Sequence, residues 1–271
     1  MDLFKGFGMG FKTYGKAIDI IFSNGLWWYF LFPILLNLII FFGGAYGIGT
    51  LAEFVKNWLV ELVSLDGAAF WGAVYLQGFI GAFIWVLFRV LFFIIFATVG
   101  GYIIIMLMSP IFAILSEKTE EILTGNKYPF NGDQLMRDIV RGVLIAMRNM
   151  FIELGYMILF FIAGFIPVIG QAAAVVLFFI SAYFYGFAFI DYTNERRRLT
   201  ISQSVQFIRA NKGMAIGNGF IFALAMLIPY CGVVLAGFVA IVSVVAATIA
   251  THQTVDLSNN PYAHKQVKEN E

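Results

Sequence analysis

Ile166-Pro167-Val168-Ile169-Gly170 and Ile228-Pro229-Tyr230-Cys231-Gly232 both read Ile-Pro-x-x-Gly and begin 62 residues apart in a chain of 271 residues. Each motif interrupts a long stretch without a charged side chain, 154–190 in the first case and 213–255 in the second. Proline removes a backbone donor and clashes with the preceding helical turn, and glycine permits the reversal that follows. The repeated motif therefore predicts two helical hairpins.

The composition indicates an integral membrane protein. Charged residues make up 12% of the chain and the mean hydropathy is +0.87, whereas ordinary globular domains carry about 25% charge. A soluble chain of this length could not bury the apolar surface of 31 phenylalanines. We therefore expect an all-α, polytopic membrane protein. No nucleotide-binding, nucleophile or metal-ligand motif stands in the sequence, so we predict no enzyme, no cofactor, no metal ion and no nucleic-acid partner.

The segments combine into one predicted membrane domain, 1–255, followed by a disordered tail, 256–271. Aromatic residues and lysines form separate stripes at helical spacing before residue 23, which predicts a helix lying in the membrane interface. The predicted parts of the domain are an interfacial helix (1–25), two long spanning helices with a following amphipathic helix (26–125), a first hairpin (132–190) and a second hairpin (200–252).

The first arms of the two hairpins are short. Residues 154–166 and 213–228 reach about 20–24 Å as helix, against a hydrocarbon core of ~30 Å. We therefore expect both hairpins to penetrate only half of the bilayer. The segments rich in Lys and Arg then all fall on one side of the membrane, which predicts cytoplasmic N- and C-termini.

The hairpin tips are candidate anion sites. The second arms begin at Gly170-Gln171 and at Gly232-Val233, where we expect unpaired backbone N–H groups. A helix N-terminus favours negative charge, and discontinuous helices hold substrates at mid-membrane in many transporters. The alternative is that the tips are plain turns at the outer surface.

Two further residues are candidates for substrate binding. Arg89 is the only charged residue in 67–116, and it either lines an ion pathway or extends to the outer interface. Asn218 lies between Gly217 and Gly219, and it either contacts a ligand or joins helices by hydrogen bonds.

The charged clusters have simpler interpretations. We interpret the run Arg196-Arg197-Arg198 as a topology anchor that touches anionic lipid, with collection of anions as the alternative. Glu117, Glu120 and Glu121 lie on one helical turn and are predicted to form a solvated face.

Several short segments, taken in their order along the chain, carry a family resemblance. They are Leu31-Phe32-Pro33 with Asn37, Ser109-Pro110 with 115–120, Pro167 with Gly170, Asp191-Tyr192, Gly217-Asn218-Gly219, Ile228-Pro229 and Ala246-Ala247-Thr248. Over about residues 10–252 the chain resembles the CysZ sulfate-permease family, which shares a domain with the eukaryotic etoposide-induced membrane proteins.

The resemblance implies two long spanning helices, two half-penetrating hairpins and assembly as a homodimer or larger homo-oligomer. It also implies uptake of sulfate for cysteine synthesis across a bacterial inner membrane. The family's proposed sulfate site is a Gly-Leu-Arg-Arg motif, which aligns here with Gly25-Leu26-Trp27-Trp28. The backbone N–H groups are retained, but the two guanidinium groups that would hold an oxyanion are not. The resemblance thus implies an anion permease or channel, and the tryptophans leave sulfate open.

A second hypothesis comes from a different class of protein. The chain could be a membrane scaffold or lipid-interacting protein that transports nothing. Trp27-Trp28 favours the scaffold, because tryptophan prefers the membrane interface, whereas the repeated Ile-Pro-x-x-Gly hairpin favours the permease.

Overall fold

The computed structural model describes residues 2–39, 101–126, 131–163, 169–228, 231–255 and 257–259. These ranges are helical apart from short connections and contain no β-strand, so the all-α prediction is confirmed. In chain order the helices are α1 (Leu3–Ser23), a 3₁₀ turn (Leu26–Phe30), α2 (31–39), α3 (Gly101–Leu107), α4 (Ser109–Thr124), α5 (Gly132–Ala163), α6 (Ile169–Arg196), α7 (Ile201–Ala210), α8 (Lys212–Met226), α9 (Gly232–Thr254) and a final 3₁₀ turn (Leu257–Asn259).

Three of the described helices are long and apolar enough to cross a membrane, namely Gly132–Phe160, Ala172–Arg196 and Val234–Thr254. Two bent helix pairs, Leu3–Ser23 with Leu26–Ile39 and Gly101–Leu107 with Ser109–Thr124, would raise the number to five if each pair formed one span. The polytopic membrane architecture is therefore confirmed. Most of the two long spanning helices predicted within 26–125, including Arg89, lies outside the described residues.

The chain divides into two compact units. One comprises Met1–Pro33 and Val99–Glu271, and the other comprises Ile34–Thr98. The first unit contains both predicted hairpins and nearly all of the described residues.

The first hairpin has a longer first arm than the sequence suggested. Helix α5 runs unbroken for 32 residues from Gly132, about 48 Å at 1.5 Å per residue, because the amphipathic segment before residue 154 continues into the apolar one. It is therefore long enough to cross, and the short-arm argument holds only for α8, which has 15 residues. The depth of both hairpins in the bilayer stays a prediction.

Local sequence sets the ends of the shorter helices. Gly125 has a left-handed φ of 74° and donates its N–H to the Glu121 carbonyl, so it ends α4 as predicted. Helix α7 starts with a capping box, in which Thr200 and Gln203 exchange side-chain and backbone hydrogen bonds. Leu257–Asn259 forms a turn with Leu257 buried, although the sequence predicted disorder from residue 256.

Helix α8 lies at the centre of the first unit, and glycines let its neighbours approach. A Cβ atom added at Gly10 of α1 would collide with the Met214 carbonyl oxygen of α8, and one at Gly217 would collide with the Phe7 carbonyl oxygen. Between α6 and α8, Gly186 and Gly219 face each other in the same way. Gly10 is therefore the point at which α1 packs on α8.

Helix α1 presents three different faces. One face, which includes Gly10, Tyr14 and Ala17, is buried against α8 and α9. A second stripe of large apolar side chains is exposed, and the lysines form a third, exposed stripe. The exposed apolar residues are Phe4, Phe11, Ile18 and Phe22. An apolar stripe beside a lysine stripe is what an interfacial helix requires, and the interfacial placement stays a prediction.

Candidate functional site

The segment aligned with the family's sulfate motif follows α1 directly. Gly25 adopts a left-handed φ of 72°, which turns the chain into the 3₁₀ turn. Leu26 and Tyr29 are buried, whereas Trp27 is 56% and Trp28 is 44% exposed. The two buried side chains flank the two exposed ones, so both indoles lie on the outside of the turn.

Two carboxylates of α4 lie near this turn. Glu117 and Glu121 of α4 lie within electrostatic range of the Tyr29 hydroxyl. Burial raises the pKa of Glu117 to about 7, with Glu121 adding to the increase and Arg196 opposing it. Helix α4 is not one of the three helices that qualify as spans on their own. An anion at Gly25–Trp28 would therefore find backbone N–H groups and nearby carboxylates. The two guanidinium groups of the family motif are replaced by the indoles of Trp27 and Trp28.

The hairpin tips differ from the prediction at the one position that can be checked. The Gly232 N–H donates to the Ile228 carbonyl at 2.8 Å, so the expectation of an unpaired amide there is wrong. Gly232 is buried, and a Cβ atom at this position would stand 2.8 Å from the Ala225 carbonyl oxygen. Gly232 is thus a closely packed position at the start of α9. Gly170 and Gln171 lie in the first turn of α6, and their surroundings fall outside the described residues.

Asn218 lies between helices. Its side chain is fully buried, and its Nδ2 donates to the Ser243 backbone carbonyl at 3.1 Å. The backbone carbonyl of Asn218 accepts from the Tyr14 hydroxyl. Gly217 and Gly219 allow α1 and α6 to approach on either side. This arrangement agrees with the helix-joining interpretation. Within the described part of the chain, the Asn218 Oδ1 atom is buried without a hydrogen-bond partner.

A buried ion pair joins α4 to the end of α6. The Arg196 Nε atom lies 2.6 Å from Glu120 Oε2, and the two side chains are 7% and 0% exposed. Arg196 also donates to the Ser116 hydroxyl at 2.8 Å, and Ser116 lies 2.8 Å from Thr248 of α9. The predicted solvated face is therefore wrong for Glu120, and the predicted lipid anchor is wrong for Arg196.

A second ion-pair network joins α5 to the same end of α6. Arg141 contacts both carboxylate oxygens of Asp191, at 2.9 and 3.1 Å. It also pairs with Glu195 and donates to the Leu199 carbonyl. Asp191 in turn accepts from the Ser204 hydroxyl of α7. One guanidinium group thus connects α5, α6 and the loop before α7.

A further ionisable side chain, Glu153, is buried later in α5. Glu153 accepts hydrogen bonds from the Tyr102 hydroxyl of α3 and from the Ser181 hydroxyl of α6. It lies within the candidate span Gly132–Phe160. Ionisable residues inside membrane helices are costly and often mark functional positions.

The other two arginines of the run, Arg197 and Arg198, have different surroundings. Arg197 stacks over the Phe207 ring at 4.8 Å and donates to Asn194 at 3.0 Å. Burial lowers the pKa of Arg197, with the Glu120 carboxylate opposing the shift. Arg198 is exposed and has a left-handed φ of 51°. It lines a pocket of about 300 Å³ together with Arg137 and Arg141.

The sequence hardly signals these networks, because their members are 50 to 76 residues apart. Glu117 and Glu120 are three residues apart and therefore share one side of α4, so their spacing does not separate the buried Glu120 from the half-buried Glu117. Among the described residues, no group of three or more His, Cys, Asp and Glu side chains is placed to hold a metal ion.

Curated proteins from several bacteria are similar to the chain. A protein named "Sulfate transporter CysZ" from Pseudomonas paraeruginosa is 24% identical over 223 residues, covering 82% of this chain and 87% of that protein. Proteins of the same name from Vibrio parahaemolyticus and Vibrio cholerae are 26% and 23% identical, and they cover 82% and 94% of this chain and 86% and 96% of their own lengths. Residues 13–237 match the family described as "Sulfate transporter CysZ/Etoposide-induced protein 2.4". The chain therefore belongs to this family of helical membrane proteins.

Proposed function

We propose that the protein is a permease for a sulfate-type oxyanion in a bacterial cytoplasmic membrane, with both termini in the cytoplasm and assembled as a homodimer or larger homo-oligomer. The observation that carries the proposal is the family match over 13–237, together with relatives that are named sulfate transporters along most of their length. The chain would move the ion without covalent chemistry.

The interior of the helical unit supports transport over a purely structural role. Glu120, Arg141, Glu153, Asp191 and Arg196 are all buried or nearly so within apolar helices. Buried ion pairs contribute little net stability compared with well-packed apolar residues. A scaffold has no need of them, whereas a protein that passes an ion requires polar groups among its helices.

The Gly25–Trp28 turn is the proposed point of first contact with the anion. The turn keeps the glycine of the family motif at Gly25 but not its cations, and Glu117 and Glu121 add negative charge nearby. Arginine forks strengthen oxyanion binding, and backbone N–H groups alone do so less. We therefore expect weak capture of sulfate and a high KM. Gly170, Gln171 and Arg89 remain proposed contacts further along the path.

The test is uptake of radiolabelled sulfate into proteoliposomes. The native chain is compared with empty vesicles, with Trp27→Arg/Trp28→Arg, and with Ser202→Arg/Gln206→Arg, which adds the same charge at exposed positions on α7. We expect slow uptake by the native chain, a lower KM for the tryptophan variant and no change for the control.

Two results would contradict the proposal. Uptake by the tryptophan variant alone would show that this fold can conduct sulfate but that the native chain has another substrate. If all three proteins are folded and inactive, the chain is not a sulfate permease, and the scaffold hypothesis replaces it. The exposed indoles of Trp27 and Trp28 and the exposed apolar stripe of α1 favour that second hypothesis.

A further inference from the structure

Two adjoining cavities open beside α5 and the loop that precedes α7. The first, of about 300 Å³, is polar and is lined by Gln134, Arg137, Arg141, Glu195, Arg198, Leu199 and Thr200. The second, of about 600 Å³, shares several of these residues and adds Asp133, Met136, Val140, Leu144 and Ile201. Together they form one groove, polar at one end and apolar at the other, which we name the α5 groove.

The polar end gathers three guanidinium groups from two segments of the chain. Arg137 and Arg141 stand one helical turn apart on α5, and Arg198 comes from the loop after α6. Arg141 is engaged by Asp191 and Glu195, whereas Arg137 and Arg198 are exposed. Arg137 donates to Gln134 at 2.9 Å, and the Arg198 N–H donates to the Glu195 carbonyl at 2.7 Å. The first bond positions the Arg137 guanidinium group, and the second fixes the backbone from which the Arg198 side chain starts.

The apolar end continues along α5. Met136, Val140 and Leu144 are 61%, 50% and 52% exposed, and their spacing of four residues places them on one face of the helix. Exposed Met147 and Phe151 extend this face. From Met136 to Phe151 the strip measures about 22 Å, which exceeds half of the ~30 Å hydrocarbon core.

We propose that the α5 groove binds an anionic phospholipid, with the phosphate between Arg137 and Arg198 and an acyl chain along the Met136–Leu144 strip. A hydrated inorganic anion gains nothing from an apolar strip. The groove is lined by three arginines and two carboxylates, Asp133 and Glu195, so its lining is net positive and a zwitterionic lipid would bring a second cation to it. Basic pockets between membrane helices bind anionic headgroups by this combination. Of the run Arg196-Arg197-Arg198, only Arg198 lines this groove.

The experiment follows the thermal midpoint of the full chain purified in neutral detergent. The midpoint is measured after adding phosphatidylglycerol, phosphatidylcholine or inorganic phosphate. We expect phosphatidylglycerol to raise the midpoint well above the other two. Arg137→Gln/Arg198→Gln should lose most of that increase, whereas Arg209→Gln/Lys212→Gln, which removes two exposed cations from α7 and α8, should keep it.

A second pair of variants separates a lipid from a free anion. Leu144→Ser should reduce the phosphatidylglycerol effect, and Ile158→Ser, a similarly exposed position further along α5, should not. The proposal would be overturned if the midpoint responded equally to phosphatidylglycerol and phosphatidylcholine. It would also be overturned if phosphatidylglycerol raised the midpoint equally in the native and Arg137→Gln/Arg198→Gln proteins. A response to inorganic phosphate that Leu144→Ser leaves intact would show a small-anion site and overturn it too. The single variant Arg198→Gln gives the same comparison if the double variant does not fold.

Discussion

Arg196 and Glu120 lie 76 residues apart in sequence, and their side chains meet at 2.6 Å with almost no exposure to solvent. The pair ties the last turn of α6 to α4. Through Ser116 and Thr248 the same contact reaches α9. One buried guanidinium group therefore holds three helices at this end of the unit.

Removal of one partner from this pair should be costly. Glu120→Gln leaves the Arg196 charge buried without its counter-ion, so we expect a loss of about 3–5 kcal/mol in the free energy of unfolding. Glu120→Met/Arg196→Met should recover much of that loss. Glu121→Gln, which breaks the half-exposed Lys118–Glu121 pair on the same helix, is the control and should cost under about 1 kcal/mol. Thermal unfolding in detergent gives the ranking, and equal losses for Glu120→Gln and Glu121→Gln would contradict it.

Two glycines of α1 should respond oppositely to alanine. A Cβ atom at Gly10 would collide with the Met214 backbone, whereas one at Gly8 meets nothing within 4 Å. Gly10→Ala must push α1 away from α8 and should lower the thermal midpoint strongly. Gly8→Ala should raise stability by up to about 1 kcal/mol, because alanine favours helix. If both substitutions stabilise the protein, α1 does not pack on α8 through Gly10.

The sequence predicted the elements that depend on local residues. Gly125 ends α4, and the glycines around Asn218 mark a close helix contact, because such signals act within a few residues. The charged residues were harder to interpret. Whether Glu120 faces solvent depends on Arg196, and whether Arg141 faces lipid depends on Asp191, and neither partner is near in sequence. A carboxylate on an amphipathic helix has the same local pattern whether solvent or a distant arginine satisfies it.

Glu117 should make stability depend on pH. Burial raises its pKa from 4.5 to about 7, so between these values the folded protein holds a proton that the unfolded chain releases. Stability should therefore fall as the pH rises from about 4.5 to about 7 and change no further through this group above that range. Glu117→Gln should remove this part of the pH dependence. Because the carboxylate is partly exposed, we expect the thermal midpoint of Glu117→Gln to exceed that of the native protein by only about 2 °C at pH 8. The thermal midpoints of both proteins are measured at pH 5 and at pH 8. A native–variant difference that is the same at both pH values would contradict the assignment.

Tyr102 should stabilise the buried carboxylate of Glu153. Tyr102→Phe removes one of the two hydroxyl donors to that group and keeps the ring beside Tyr185. An unsatisfied buried acceptor costs about 1–3 kcal/mol, so the thermal midpoint should fall. Tyr156→Phe is the matched control, since Tyr156 lies on α5 only three residues after Glu153 but is exposed. It should change little, and a comparable loss for both variants would argue against a special role for the Tyr102 hydroxyl.

The three consecutive arginines should give three different results when each is changed to glutamine. Arg196→Gln removes the ion pair that the buried Glu120 makes at 2.6 Å and should be the most destabilising. Arg197→Gln loses the Phe207 stacking and one hydrogen bond to Asn194, an effect of about 1 kcal/mol. Arg198→Gln changes an exposed side chain and should leave the midpoint in lipid-free detergent nearly unchanged. A topology anchor made of three equivalent charges predicts instead that all three variants behave alike. Thermal midpoints of the three proteins in one detergent decide between these outcomes, because only the folded arrangement makes the neighbours unequal.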